Sequence, residues 1–114
     1  MAKQYINAEI KITPISSNKI WQGRRFKTKE YKKWRQDAHL LLPKKAQIKG
    51  KVGVDLVFYI PYPQRCDLDN LLKGTLDAIV DRGYIEDDRF IYQLNTSKVK
   101  SDKNKISIQI YELE

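Results

Sequence analysis

The fold is decided by residues 52–83, which read VGVDLVFYIPYPQRCDLDNLLKGTLDAIVDRG. The first part of this stretch alternates apolar residues with others up to Ile60, which is the strongest strand pattern in the chain. From Leu68 onward the apolar residues recur at helical spacing, and Gly83 stands where the helix should end. A buried strand followed directly by an amphipathic helix predicts a strand-to-helix corner between them.

This corner carries a concentration of carboxylates in a chain that is otherwise basic. From Asp67 to Asp88 there are seven acidic residues and two basic ones, whereas the whole chain has a net charge of +8. Clustered carboxylates repel one another unless a cation or partial protonation offsets the repulsion. We therefore interpret the window as the core of a metal site. The alternative is an acidic, solvated helix face with an aspartate cap.

The spacing of Asp67 and Asp69 restricts where the two side chains can meet. Residues two apart diverge around a helix but share a side of an extended segment, so this pair converges only at a strand exit or a helix cap. Either aspartate is expected to cap the helix, although capping explains one carboxylate and not both. Lys73 follows Asp69 by four residues and is expected to lie beside whatever the carboxylates bind.

A second pair of carboxylates, Asp87 and Asp88, follows the predicted end of this helix. If the chain turns back after Gly83, it brings Asp88 toward Asp67 and Asp69. The spacing therefore allows three aspartates to share one site, and it leaves open whether Asp87 joins them.

The rest of the chain predicts one α+β domain. The predicted elements are strand 5–13, helix 28–42, strand 52–60, helix 68–82, strand 90–99 and strand 106–113. This β-α-β-α-β-β order indicates a mixed sheet with two helices mainly on one side. With 114 residues, the chain is expected to form a single domain, residues 1–114.

Two patterns predict which faces are buried. The first helix begins after Thr28, a suitable cap, and its expected buried residues are Tyr31, Trp34, Ala38, Leu41 and Leu42. In the strand 52–60, Val57 and Tyr59 occupy the positions between the core residues, which predicts cover on the second side of that strand as well.

The positive charge indicates a polyanionic partner. A pI near 9.6 is most simply explained by nucleic acid binding. Residues 19–27 combine cations with two aromatic residues, a mixture that suits phosphate contacts and stacking on unpaired bases. The predicted DNA contacts are Lys19, Arg24, Arg25, Lys27 and Lys73. Alternatively, Trp21 and Phe26 pack into the core while the cations stay in solvent.

Several classes of protein are excluded by the composition. The N-terminus lacks the apolar run of a signal peptide, and no stretch approaches the roughly 20 apolar residues of a membrane span, so a cytoplasmic protein is expected. Cys66 is the single cysteine, which excludes an intramolecular disulfide framework and a cysteine-rich zinc site.

The acidic window also resembles the signature of the RusA family of Holliday junction resolvases, which are crossover junction endodeoxyribonucleases. The residues that carry the resemblance are Asp67-Leu68-Asp69-Asn70, Lys73, Asp77, Gly83 and Asp87-Asp88. The resemblance is firm over residues 60–114 and weaker over Ser17-Asn18 and the basic loop beyond. It implies that Asp67, Asp69 and Asp88 bind magnesium and are essential, and that Lys73 is the matching family lysine.

The resemblance further implies a homodimer that cuts four-way DNA junctions symmetrically, and many family members are encoded by prophages. A pair of sites related by a twofold axis matches the near-twofold symmetry of the junction. The candidate dimer surface is the C-terminal hairpin with Tyr92 and Tyr111. This chain departs from the family pattern at Gln64-Arg65-Cys66, where a run of arginines is expected; the departure concerns DNA contact and leaves the ligands untouched.

The implied chemistry is hydrolysis of a phosphodiester. Magnesium prefers oxygen ligands, activates water and stabilises charge on the leaving oxygen. Lys73 would hold the phosphate or stabilise the transition state, whereas Asp77 is expected to orient Lys73 or to cap a surface network rather than to bind metal directly. Two alternatives stay open: a non-catalytic nucleic-acid binding module whose acidic helix is a partner surface, and a nuclease for other branched DNA. The sequence does not decide between one and two metal ions.

Overall fold

The computed structural model describes residues 3–22 and 26–114, without the side chains of residues 21, 22 and 26. Its elements are strand β1 (Tyr5–Ile10), a hairpin of β2 (Trp21–Gln22) and β3 (Phe26–Lys27), helix α1 (Lys29–Leu41), strand β4 (Val52–Ile60), helix α2 (Leu72–Arg82), and strands β5 (Ile91–Lys100) and β6 (Lys105–Glu112). Apart from the short hairpin, this is the predicted order, and the α+β fold is confirmed. No helix in these ranges is long and apolar enough to cross a membrane.

The main sheet is mixed, as predicted, with strand order β1-β6-β4-β5. Strand β4 lies between β6, which is antiparallel to it, and β5, which is parallel to it. A parallel pair requires a crossover, and α2 supplies it between β4 and β5. The acidic window therefore occupies the connections at both ends of α2.

The core lies between the sheet and the two helices. Alternate residues of β4 face it, and all five are at most 7% exposed; they are Val52, Val54, Leu56, Phe58 and Ile60. Helix α1 contributes three of the predicted residues, Tyr31, Trp34 and Ala38, but Leu41 is 47% exposed and its predicted burial is wrong. The helix ends at Leu41, and Leu42, which follows with an extended backbone and ψ of 122°, is buried as predicted.

Side chains of the sheet itself lie on the second face of β4. Val57 and Tyr59 are half-buried there. Near them, Tyr111 donates a hydrogen bond of 3.1 Å to Asp55, and Asn95 donates one of 3.0 Å to the same oxygen. The predicted cover is therefore partial, and the helices lie on the opposite side of the sheet.

The helix boundaries follow their local chemistry except at the start of α2. The Thr28 side chain accepts a hydrogen bond from the Tyr31 N–H and caps α1, and Gly83 ends α2 in a left-handed conformation with φ of 84°. The predicted start at Leu68 is a 3-10 turn, Leu68–Leu71, and α2 follows it.

The expectation that Asp67 or Asp69 caps the second helix is wrong. Asp67 occupies the N-cap position of the 3-10 turn, but its side chain makes no capping hydrogen bond. In this tighter turn, backbone carbonyls accept the hydrogen bonds that a capping side chain would otherwise accept. The Asn70 N–H, for example, donates to the Asp67 carbonyl at 3.1 Å. Both carboxylates are exposed.

Candidate active site

The acidic turn that carries Asp67 and Asp69 is held in place by its other residues. Leu71 is only 4% exposed and anchors the turn in the core. The Ser17 hydroxyl donates a hydrogen bond of 3.0 Å to Asn70 Oδ1, which ties the turn to the segment after β1. Neither aspartate side chain bonds or pairs with another residue that the structure describes. The fold therefore presents two exposed carboxylates on a fixed backbone.

The segment before the second acidic pair is anchored as well. Tyr84 and Ile85 are at most 1% exposed, and Ile85 pairs with Ile48 in an isolated parallel bridge. The Gly50 N–H donates to Glu86 Oε1 at 3.1 Å, which ties this segment to the chain just before β4. Two apolar anchors thus fix the chain immediately before Asp87 and Asp88.

Asp87 and Asp88 interact directly with each other. The hydrogen bond between their side chains raises the pKa of Asp88 above its ordinary value, and burial and the charge of Asp87 raise it further, while Lys73 lowers it. The same hydrogen bond lowers the pKa of Asp87. The two carboxyl groups are therefore close enough to share one proton, as a pair of like charges does without a cation between them.

An open pocket of about 270 Å³ connects Asp88 with three cations. Its lining residues are Ile20, Lys27, Arg35, Lys73, Asp77, Val80, Asp81, Asp87 and Asp88. Three of the residues predicted from the sequence, Lys27, Lys73 and Asp88, are therefore brought together. Cations beside carboxylates suit a phosphate that must approach acidic groups.

Lys73 is oriented by a chain of contacts that joins the two helices. Its ammonium lies 3.1 Å from Asp77 Oδ1, which confirms that Asp77 contacts Lys73. The other oxygen of Asp77 accepts a hydrogen bond of 3.0 Å from the Tyr31 hydroxyl, and Arg35 donates to that hydroxyl at 2.8 Å. Arg35 also forms an ion pair with Asp81.

Sequence reasoning missed Tyr31, Arg35 and Asp81 as parts of this site. The helical pattern assigned Tyr31 to the core, where its ring does lie at 1% exposure, but the pattern carries no information about its hydroxyl. Arg35 and Asp81 belong to different helices, so only the crossing of α1 and α2 pairs them. A cation four residues after a buried tyrosine was the one available signal.

Other predicted residues lie elsewhere. Lys19 lines a separate, mainly apolar cavity of about 680 Å³ and stands 3.6 Å from Glu30. Arg24 and Arg25 lie outside the described residues, as do the side chains of Trp21 and Phe26, so their predicted DNA contacts stay predictions.

The convergence of Asp67, Asp69 and Asp88 on one site also stays a prediction. Asp67 and Asp69 do not line the pocket that contains Asp88. Among residues 3–22 and 26–114, no group of three or more His, Cys, Asp or Glu side chains lies close enough together to hold a metal ion.

The available donors fit a hard divalent cation in their chemistry. They are carboxylate oxygens, the ligands that magnesium and manganese prefer. The side-chain hydrogen bond to Asp87 raises the pKa of Asp88, Arg89 lies 3.9 Å from Asp87, and Asp67 and Asp69 have no competing partner among the described residues.

Exposed carboxylates next to cationic side chains in a basic chain suit an enzyme that acts on phosphodiester backbones. The profile of the family described as Endodeoxyribonuclease RusA matches residues 9–111. The chain is 31% identical over 108 residues to the crossover junction endodeoxyribonuclease rusA of Enterobacteria phage HK97, covering 89% of this chain and 90% of the relative. It is 28% identical over 94 residues to the crossover junction endodeoxyribonuclease RusA of Aquifex aeolicus (strain VF5), covering 77% of this chain and 73% of the relative. The chain belongs to the RusA family of endodeoxyribonucleases.

Proposed function

We propose that this RusA-family chain, a crossover junction endodeoxyribonuclease, resolves four-way DNA junctions in recombination and repair through Asp67, Asp69, Asp88 and Lys73. The observation that carries the proposal is the pocket in which Asp88 lies with Lys73 and Lys27. A non-catalytic binding module has no need for an exposed carboxylate pair beside a fixed lysine. The proposed endonuclease domain comprises residues 1–114 and acts in the cytoplasm, where its DNA substrate is.

The proposed cofactor is Mg²⁺, held by Asp67, Asp69 and Asp88. When bound, it supplies an activated water and charge stabilisation at the leaving oxygen. Support comes from the donor chemistry and from the two exposed aspartates of the 3-10 turn, which make no contact that would compete with a cation. Asp87 shares its hydrogen bond with Asp88 and is therefore expected to orient that carboxylate.

The protein's own residues bind and orient the scissile phosphate in this proposal. Lys73 is 55% exposed in its side chain, so its ammonium reaches the pocket while Asp77 restrains it. Lys27 and Arg35 line the same pocket and supply further positive charge. These cations offset the repulsion between the aspartates and incoming DNA, and the net charge of +8 draws DNA to the protein.

The proposed assembly is a homodimer that pairs through the C-terminal hairpin, β5 and β6. Strand β5 is an edge strand of the sheet, and among the described residues it pairs with β4 alone. Its exposed apolar residues are Tyr92 at 65%, Leu94 at 38% and Val99 at 41%. An edge strand leaves backbone N–H and C=O groups unpaired, and these are a template for pairing with another chain. Tyr111, by contrast, is engaged with Asp55 and is a weaker candidate.

Sedimentation at the protein concentration used for cleavage tests the dimer. The parent protein is expected at twice 13.4 kDa, and Leu94→Lys is expected to shift it to 13.4 kDa. Leu40→Lys is the matched control, since Leu40 is 82% exposed at the end of α1, away from the hairpin. A 13.4 kDa parent that cuts both strands within one binding event would contradict the dimer.

The proposed function is tested with a labelled four-way junction and a linear duplex of matched sequence, each with and without Mg²⁺. Paired cuts in opposed strands of the junction, dependent on Mg²⁺ and absent from the duplex, are expected. Junction binding without cleavage would support the binding module. Equal cutting of flaps and junctions would support a nuclease for branched DNA in general.

A further inference from the structure

Lys98 makes an unusual pair of contacts next to the acidic turn. Its ammonium donates hydrogen bonds to two backbone carbonyls, at 2.7 Å to Pro63 and at 2.6 Å to Cys66. Cys66 immediately precedes Asp67. Lys98 is half-buried, and no carboxylate of the described residues lies within 4.0 Å of its ammonium. A cation is therefore held against the backbone that leads into the acidic turn.

The position of Lys98 in the fold connects the two acidic segments of the chain. Lys98 lies on β5, opposite Phe58 of β4, on the face of the sheet that the helices cover. Strand β5 begins directly after the 3-10 turn that contains Asp88. Strand β5 thus follows the segment with Asp87 and Asp88, and through Lys98 it also contacts the backbone just before Asp67.

We propose that Lys98 is a positioning residue of the acidic site, because it fixes the segment before Asp67 to the strand that follows Asp88. This inference rests on the proposed function, in which these aspartates hold the metal. The ammonium touches backbone carbonyls and not the aspartates, so it acts through the main chain. Groups that orient metal ligands typically change metal affinity about tenfold to a hundredfold when they are removed.

The first test measures binding of Mn²⁺, which shares the preference of Mg²⁺ for oxygen ligands, by EPR titration of the protein without DNA. Lys98→Met removes both hydrogen bonds and keeps an unbranched side chain that is one atom shorter. It is expected to weaken Mn²⁺ binding about tenfold or more. Lys98→Arg keeps the donors and is expected to recover most of the affinity. Unchanged Mn²⁺ binding in Lys98→Met would overturn the proposal.

Lys100→Met is the matched control, because Lys100 is exposed on the same strand and the same face, two residues further on. It removes the same charge and is expected to bind Mn²⁺ like the parent. Junction affinity in EDTA separates positioning from DNA contact. A loss of that affinity in Lys98→Met, but not in Lys100→Met, would show that Lys98 binds DNA and would overturn its positioning role.

A second test does not depend on metal. Hydrogen exchange of the backbone amides in residues 67–72 is expected to be faster in Lys98→Met and unchanged in Lys100→Met, since the clamp on the preceding carbonyls is lost. If Asp67→Asn binds Mn²⁺ as well as the parent, the proposed ligand set fails whatever Lys98 does. Exchange then decides the role of Lys98, and equal rates in Lys98→Met and the parent would contradict it.

Discussion

Tyr31 of α1 donates a hydrogen bond of 3.0 Å to Asp77 of α2, and the second oxygen of Asp77 lies 3.1 Å from the ammonium of Lys73. A tyrosine that is 1% exposed therefore connects the protein core to the lysine of the candidate active site. The contact restrains Asp77, and Asp77 in turn restrains Lys73.

Tyr31→Phe is expected to lower the free energy of unfolding by about 1–3 kcal/mol, because two part-buried hydrogen bonds are lost: the one that the hydroxyl donates to Asp77 and the one that it accepts from Arg35. Junction cleavage should slow while junction affinity stays constant, since Lys73 becomes less well oriented. Urea unfolding and single-turnover cleavage measure the two effects. Tyr59→Phe, on the opposite face of the sheet, is the control and is expected to leave both unchanged.

Gly74→Ala tests how closely α2 approaches the segment after β1. Alanine favours a helix over glycine by about 1 kcal/mol, so a solvent-exposed site would gain stability. At Gly74, however, an added Cβ would lie 2.6 Å from Cγ2 of Ile15. Overpacking typically costs about 1–3 kcal/mol, so a net loss of stability is expected.

A double-mutant cycle with Ile15→Ala identifies the cause of that loss. Removing the Ile15 side chain opens the space that the new methyl group needs, so Gly74→Ala should cost less in the Ile15→Ala background. Equal costs in the two backgrounds would show that the close approach is not responsible.

Stability is expected to fall at alkaline pH. Burial raises the pKa of Tyr31 and of Tyr84 above the ordinary value of 10.0. Below about pH 10 these phenols are protonated in both the folded and the unfolded chain, so their contribution is constant. Above about pH 10 the two phenols lose their protons in the unfolded chain before they do so in the folded protein. The free energy of unfolding therefore decreases by up to about 1.4 kcal/mol per pH unit for each phenol.

Urea unfolding across this alkaline range measures the slope. Tyr84→Phe is expected to make the decrease shallower, although it also loses the hydrogen bond from the Tyr84 hydroxyl to the Pro43 carbonyl. Tyr62→Phe is the control, because Tyr62 is 56% exposed. A slope that is the same in all three proteins would contradict the role of burial.

The sequence predicted the fold well where a pattern is local. Strand β4 has the bounds that alternation predicted, and Gly83 ends α2 as expected. The start of α2 was missed because Leu68 and Leu71 fit both a helix and a 3-10 turn. Leu41 was missed because the helix ends there and the following residue turns inward.

Lys73 and Asp88, both predicted from the sequence, line one pocket, whereas the convergence of Asp67 and Asp69 with them stays a prediction and the supporting contacts were not predicted. Carboxylate spacing indicated Asp67, Asp69 and Asp88, and position four after Asp69 indicated Lys73. The contacts of Tyr31 and Lys98 depend on the crossing of two helices and on the pairing of β4 with β5. No periodicity within one element contains that information.

Phosphate contacts are expected at Lys27 and Lys73, which line the pocket. Replacing Lys27 with Gln should reduce the slope of log affinity against log salt for junction binding in EDTA by about 0.9, the value for one lost phosphate contact. Lys44→Gln changes an exposed cation outside the pocket and serves as the control. If both variants give the slope of the parent protein, Lys27 does not contact the DNA phosphates.

The central claim is that Asp67, Asp69 and Asp88 form one catalytic site, and single-turnover cleavage of a pre-bound four-way junction in Mg²⁺ tests it most directly. Each of Asp67→Asn, Asp69→Asn and Asp88→Asn removes a charge and keeps the shape of the side chain. Every one of them is expected to cut at least about a hundredfold more slowly than the parent while junction affinity stays the same. Asp102→Asn, in the turn between β5 and β6, is expected to cut at the parent rate. Cleavage by any of the three site variants within a few-fold of the parent would show that its aspartate is not part of the site.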